Sequence, residues 1–207
     1  MTRGKFITFE GGEGVGKSTN VVFVENYLRS KHIPVVVTRE PGGTPLAEKL
    51  RTFLLDKNNE AMTQEAELLL MFAARAQHLK QVIEPALARG EWVICDRFTD
   101  ATYAYQGGGR KMKMSIIESL ENLVQGTLRP DLTLLLDAPV KVGMARAGKR
   151  GAFDRFESET VQFFDDVRRA YLLQAELNPE RITLIKASQP LAEVQQEIVH
   201  ALSLLLR

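Results

Sequence analysis

The chain has a single cysteine among its 207 residues, Cys95, which leaves no internal disulfide to form. That cysteine ends an apolar run, Trp92-Val-Ile-Cys95, and reads as a small core side chain of a cytoplasmic protein. Histidine is almost as scarce. His32, His78 and His200 lie far apart, show no metal-ligand spacing and are expected to be solvated or half-buried. No stretch approaches the ~18 consecutive apolar residues of a membrane span, and no apolar leader segment precedes the first strand pattern. Excess charge of either sign is missing as well, with 27 Lys plus Arg against 26 Asp plus Glu and a net charge of +1. This balance argues against a broad basic footprint for nucleic acid or an anionic membrane, so any strong positive field must be local. Repeats, low-complexity stretches and linkers are absent too.

What is present is an ordinary globular balance of 44% apolar and 26% charged residues, at a length that suits one domain over residues 1–207. Five short β-branched and apolar runs read as strands: Phe6 to Glu10, Val35 to Thr38, Trp92 to Cys95, Leu132 to Leu136 and Ile182 to Ile185. Most are apolar at nearly every position, as strands covered on both faces should be. Helical patterns separate them: Lys17 to about Ser30, Thr63 to Arg89 with an interruption at Pro85, Ser115 to Gln125, Glu157 to Asn178, and Leu191 to Leu206. Ser115 and Glu118 suggest a capping box, and Gly126 sits where a C-cap glycine belongs. Leu68 to Leu70 read as core. The alternation predicts an α/β fold with three layers, a five-stranded parallel sheet flanked by helices and a ligand site beyond the carboxyl ends of the strands. Pro41 to Pro45, Gly107 to Lys111 and Gly148 to Gly151 read as irregular loops near that site.

Gly11-Gly12-Glu13-Gly14-Val15-Gly16-Lys17-Ser18 matches G-x-x-x-x-G-K-[ST] directly after a strand and at the opening of a helix, with Thr19 next. Glycines let successive N–H groups turn toward the phosphates of ATP at the positive end of the helix. Lys17 supplies a charge to those phosphates, and the Ser18 hydroxyl is a ligand for Mg²⁺. A nucleotide-gated switch would also carry N-K-x-D and D-x-x-G sequences, and neither occurs in the chain.

The third strand ends in Asp96-Arg97-Phe98. Asp96 there is a second candidate magnesium ligand, and Arg97 offers a planar fork for a phosphate, with Arg75 as another. Two such arginines suggest that the acceptor is itself a phosphate. A monophosphate is mostly ionised at pH 7 because its second pKa is about 6, so it needs neutralisation more than a general base. A kinase for a nucleoside hydroxyl and a binding protein without turnover are competing readings, and dUMP, dCMP and AMP compete as monophosphate acceptors.

Beside these residues the chain resembles the thymidylate kinase family along essentially its whole length. The segments that carry the resemblance are Phe9 to Ser18, Thr38-Arg39-Glu40-Pro41-Gly42-Gly43-Thr44, Asp96 to Gly107, Arg129-Pro130-Asp131-Leu132-Thr133 and Asp154-Arg155-Phe156-Glu157. The resemblance implies a P-loop nucleoside monophosphate kinase that phosphorylates dTMP to dTDP with Mg-ATP in dTTP biosynthesis, and it implies a homodimer. It places Glu13 near the acceptor's 3′-hydroxyl and the metal-bound phosphates, Arg75 and Arg97 on the acceptor phosphate or the thymine, and Thr102 and Gln106 at the base or sugar. Tyr105 would crowd out a 2′-hydroxyl, while Pro41 and Leu55 would wall the thymine. Either Met71 or the adjacent Phe72 stands where the family stacks an aromatic on the base. Basic residues of a lid at about 141–156, namely Arg146, Lys149, Arg150 and Arg155, resemble the bacterial arrangement. Arg150 is the first choice for closing over the transferring group, and Arg146 belongs with the ATP site.

Overall fold

A computed structural model describes residues 2–148 and 154–206. The five apolar runs become strands β1 (Phe6–Glu10), β2 (Val35–Arg39), β3 (Trp92–Asp96), β4 (Leu132–Asp137) and β5 (Ile182–Lys186). All pair in parallel in the order β2-β3-β1-β4-β5. The strand order reverses beside β1, and β1 leads into the glycine loop, so the loop lies at the crevice where ligands of such sheets bind.

The helices among the described residues are α1 (Lys17–Ser30), α2 (Pro45–Leu55), α3 (Gln64–His78), α4 (Glu84–Ala88), α5 (Thr99–Thr102), α6 (Met114–Gln125), α7 (Val140–Ala147), α8 (Val161–Leu177) and α9 (Leu191–Leu205). Strand side chains alternate between two cores, as the period of two requires. Ile7, Phe9, Ile94, Leu132, Leu134 and Leu136 face Val24 and Leu28 of α1 and Ile198 and Leu202 of α9. On the other side Phe6, Val93 and Cys95 pack against Leu79, Ile83 and Leu87, and Leu135 packs against Phe164 and Val167 of α8. This is the expected three-layer arrangement, with Cys95 fully buried.

Several local expectations are corrected. The Thr63 to Arg89 segment is not broken at Pro85. A π-helical turn over Leu79–Ile83 links α3 to α4 and places Pro85 in the first turn of α4, where its missing N–H costs nothing. The Ser115 capping box does not form: α6 begins at Met114, and Ser115 lies inside it with its carbonyl accepting from Ser119 Oγ at 2.8 Å. Gly126 does close α6, with φ of 56°. Helix α8 begins at Val161 rather than Glu157, because the Thr160 hydroxyl caps it by accepting from Phe163 N at 3.2 Å. Residues expected to be irregular are partly helical, since Pro45 opens α2 behind the Thr44 cap and Tyr103–Gly109 forms a second π-helical segment. Leu69 is 57% exposed, not core. His78 is not solvated but fully buried, between Glu40 and Thr38.

Candidate active site

The carboxyl ends of β1, β2 and β3 open into one cleft of about 430 Å³. Its floor at one end is the glycine loop. Gly14 has φ of 66°, and a Cβ there would lie 1.9 Å from the Gly143 carbonyl of α7, so only glycine lets the loop and α7 meet. Gly11 and Gly12 stand behind the cleft and turn their carbonyls inward, where they accept from Lys17 Nζ at 3.0 and 2.7 Å. Val15 is buried in the core and anchors the loop from below. Gly16 leads into α1, placing Ser18 and Thr19 at the cleft edge on its first turn. Burial first, and then repulsion from Arg97, pushes the Lys17 ammonium down to about 8, against the pull of Glu13, Asp96 and Glu10.

The Asp96-Arg97-Phe98 turn forms the centre. Asp96 closes β3, and its Oδ1 is buried without a hydrogen-bond partner. Arg97 adopts φ of 68°, and its guanidinium lies 4.9 Å over the Tyr105 ring. Nη2 of Arg97 donates to Glu13 Oε1 at 2.5 Å, and Tyr105 OH donates to the same oxygen at 2.8 Å. Burial works against the charge on Arg97, but Glu13 foremost, with Tyr105, Tyr171 and Asp96, holds it well above the usual range. Beneath the turn the fully buried Glu10 carboxylate accepts from Phe98 N at 2.7 Å and from Tyr171 OH at 2.8 Å. Burial and the neighbouring Asp100 carboxylate push Glu10 up to about 8.

At the far end Pro41, Leu55, Met71, Arg75, Thr102, Tyr105 and Gln106 share the cleft wall. Arg75 is 3% exposed and bonded on three sides, from Nε to Glu40 Oε2 at 2.7 Å and from Nη2 to Thr102 Oγ1 at 3.0 Å and Phe98 O at 3.2 Å. Its Nη1 is buried without a partner. Phe72 stands apart from the lining: it is 2% exposed and packs under the Arg75 guanidinium at 4.8 Å, while Met71 faces the cleft.

Sequence reasoning missed Arg39 and Arg51, which line the cleft between the glycine loop and this wall. Arg51 is held below the usual guanidinium range, chiefly by burial and then by repulsion from Arg39, with Arg97 adding to it. Arg39, paired with Glu48, and Arg97, paired with Glu13, both repel Arg51, and the three cations together form a seat for an anion. Arg39 ends β2 as Asp96 ends β3, a position that could have singled it out; Arg51 lies on α2, a helix absent from the predicted helical patterns. Of the lid residues, Arg146 lines the cleft and donates to Ala187 O at 3.1 Å. Arg155 turns away to pair with Glu67 at 2.7 Å. Lys149 and Arg150 lie outside the described residues.

Residues 9–198 match the family model described as Thymidylate kinase. The thymidylate kinase of Teredinibacter turnerae is 59% identical over 199 residues, 96% of this chain and 97% of that protein. That of Pseudomonas fluorescens is 62% identical over 195 residues, 94% of this chain and 93% of that protein. The crystal structure of thymidylate kinase from Ehrlichia chaffeensis superposes with a TM-score of 0.80 at 33% identity, over 97% of this chain and 99% of that one.

Proposed function

The chain belongs to the thymidylate kinase family and is a dTMP kinase that makes dTDP with ATP, and we propose that it transfers the phosphoryl group directly and in line across the cleft between Lys17 and Arg97. The single observation that carries this reading is the cleft's continuity: the glycine loop, the Arg39-Arg51-Arg97 seat and the Arg75-Gln106 wall face one space. ATP phosphates belong on the loop N–H groups and Lys17, which absorb charge as the γ-phosphoryl group moves. The acceptor phosphate belongs on the three arginines. Bringing two anions together is the main obstacle, and cations fixed before binding remove it without reorganisation.

The base belongs on the far wall. Glu40 already balances the Arg75 charge, which leaves the unpartnered Nη1–H as a directional donor suited to a carbonyl oxygen of a pyrimidine. Pro41, Leu55 and Met71 supply the apolar faces. Tyr105, tied by its hydroxyl to Glu13, is a fixed ring beside the sugar.

The residues also fit a magnesium ion. The buried Asp96 Oδ1 without a hydrogen-bond partner and the Ser18 hydroxyl are oxygen donors of the kind Mg²⁺ takes. That ion is held by one or two protein groups plus water and substrate phosphates, so a cluster of three carboxylates is not required. When bound it would neutralise phosphate charge beside Lys17.

The test is ADP release with Mg-ATP against dTMP, dUMP, dCMP, dGMP, AMP and thymidine. dTMP should be strongly preferred and thymidine silent. A missing methyl group costs only about 1–3 kcal/mol in an apolar pocket, so dUMP should be a poor but measurable substrate. Preference for AMP or dGMP would overturn the assignment of the base wall, and turnover of thymidine would overturn the phosphate seat.

A homodimer is also proposed. Leu46 and Phe53 on α2, seven residues apart, are 50% and 47% exposed; Leu69 on α3 is 57% exposed; Ile116 and Leu123 on α6, again seven apart, are 45% and 79% exposed. Residues seven apart share a helix face, and α2 packs on α3 as α3 does on α6. Light scattering should give twice the 23.2 kDa chain mass, and Leu123→Glu should lower it toward the monomer; a monomeric native protein would end the proposal.

A further inference from the structure

Glu67 of α3 is a carboxylate that the transfer chemistry leaves unused, yet it is 1% exposed and joins α3 to the Tyr103–Gly109 segment and its end at Arg110 and to the stretch around Arg155. Its Oε1 accepts from Gln106 Nε2 at 2.8 Å and from Arg110 Nε at 3.3 Å. Its Oε2 accepts from Arg110 Nη2 at 3.3 Å and pairs with Arg155 Nη1 at 2.7 Å. Arg110 also pairs with Glu159 at 2.5 Å, so two guanidiniums meet two carboxylates. Such a cluster is seldom the most stable filling for a buried space, because well-packed apolar residues of equal volume do as well or better.

What the cluster joins explains its presence. Arg155 donates from Nε to Leu54 O at 2.7 Å and from its backbone N to Leu55 O at 3.2 Å. Its guanidinium lies 4.4 Å over Phe156, whose ring meets Tyr105 edge-on at 5.9 Å. Leu55, Tyr105, Gln106 and Phe156 all line the acceptor half of the cleft, and Glu67 stands behind them as their common tie.

The contact with Gln106 carries chemical information. A carboxylate can only accept, so Gln106 must turn its NH₂ end to Glu67, and the carbonyl is the end left for the cleft. We propose that Glu67 is a specificity-determining positioning residue. By holding the Gln106 amide in one sense it presents an acceptor to the base and selects a pyrimidine whose N3 carries hydrogen, thymine or uracil, over cytosine, whose N3 is itself an acceptor. This rests on Gln106 meeting the base, as read above. The terminal amide torsion of glutamine is soft and roughly two-fold. Without the carboxylate the amide turns over freely and presents either end.

The test measures kcat/KM for dTMP, dUMP and dCMP, calorimetric Kd for the same nucleotides, and KM for ATP, in the native enzyme, Glu67→Gln and Gln106→Met. A glutamine at 67 can accept or donate, so it no longer dictates the sense of the Gln106 amide. Glu67→Gln should lower the dTMP-to-dCMP preference by about tenfold or more, the scale of one hydrogen bond made or left unmade. The dTMP-to-dUMP preference and KM for ATP should stay as they are, since both bases carry the same N3–H and the ATP loop is remote from Glu67. An equal loss for dTMP and dCMP would make Glu67 a structural residue only and overturn the proposal. Gln106→Met separates the two layers of inference. If it leaves the preference unchanged, Gln106 does not read the base and the acceptor-site reading fails with it. If it shifts the preference and Glu67→Gln does not, only the role of Glu67 falls. Should Glu67→Gln not fold, Glu67→Asp keeps the charge for both arginines but withdraws the carboxylate by one methylene, and the same ratio judges it.

Discussion

Lys17→Ala should lower turnover by about 10²–10³-fold or more, the scale on which losing one charge-stabilising donor acts, while the protein stays folded. The folded protein does not need this side chain. It is 8% exposed, and among the described residues its ammonium donates to two carbonyls of its own loop, Gly11 O and Gly12 O. Burial works against the ammonium, which is why it titrates at about 8 rather than 10.5. The sign of the stability effect follows. Between pH 8 and 10.5 the unfolded chain binds more protons at this site than the folded one, so stability from Lys17 rises with pH across that window. Below it the buried charge is a cost, and Lys17→Ala should melt at neutral pH no lower than the native protein. The same titration should appear in kinetics. Because kcat/KM for ATP reports groups of the free enzyme, it should fall as pH rises through about 8. In kcat the limb should move to higher pH, since bound phosphate favours the charged lysine. Glu10 titrates at about the same value, so Glu10→Gln is the control: the limb should survive it. A limb that vanishes in Glu10→Gln would assign the titration to the carboxyl, and near-native turnover in Lys17→Ala would remove the lysine from the mechanism.

How much of this was legible in the sequence depended on whether the deciding interactions were local. The central strands β1, β3 and β4 are buried at nearly every position and must be apolar there, and the half-exposed edge strands β2 and β5 are still β-branched and apolar. All five therefore stood out, and their ends moved by a single residue at most. The glycine loop is local too, a strand, a turn and a helix N-terminus within thirteen residues of sequence. Elements that rely on distant partners were harder. The glycines at 107 to 109 look like a loop, yet they permit close packing: a Cβ on Gly107 would lie 2.6 Å from Met114 Sδ, and one on Gly109 would lie 2.4 Å from the Phe163 ring. Nothing near them in sequence announces those neighbours. The helix α2 was missed for another reason. Thr44 capping Ala47 N at 3.1 Å and Pro45 at the first turn are a proper start signal, but the preceding Gly42-Gly43 outweighed it. With α2 went Arg51, and with it a third of the cationic seat. His78 and Glu67 show the remaining limit: one sequence cannot tell a buried polar residue from a solvated one until its partners, Glu40 and Thr38 or Gln106, Arg110 and Arg155, are brought to it by the fold.

Arg97→Lys, a change that keeps the charge, should still lower kcat/KM for dTMP by about 10²-fold, because the site uses the shape of the guanidinium. Its plane is stacked 4.9 Å over Tyr105 while Nη1 donates to Gly11 O at 3.1 Å and Nη2 to Glu13 Oε1 at 2.5 Å. One flat group thus ties the acceptor wall to the glycine loop. An ammonium cannot stack in this way or span two acceptors along fixed directions. The backbone shows that the position is enforced. Arg97 has φ of 68°, which costs a residue with a Cβ roughly 1–2 kcal/mol. The next N–H, that of Phe98, is held at 2.7 Å by Glu10, which Tyr171 OH fixes in turn at 2.8 Å. Lysine keeps that backbone, so the expected loss belongs to the side chain. It should divide unequally, with kcat falling more than the affinity for dTMP weakens, because the aligned cation matters most when the two phosphates approach. If dTMP affinity weakens as much as kcat/KM and kcat is spared, Arg97 is a binding group only, and the charge felt by the moving phosphoryl group must come from Lys17 and the lid.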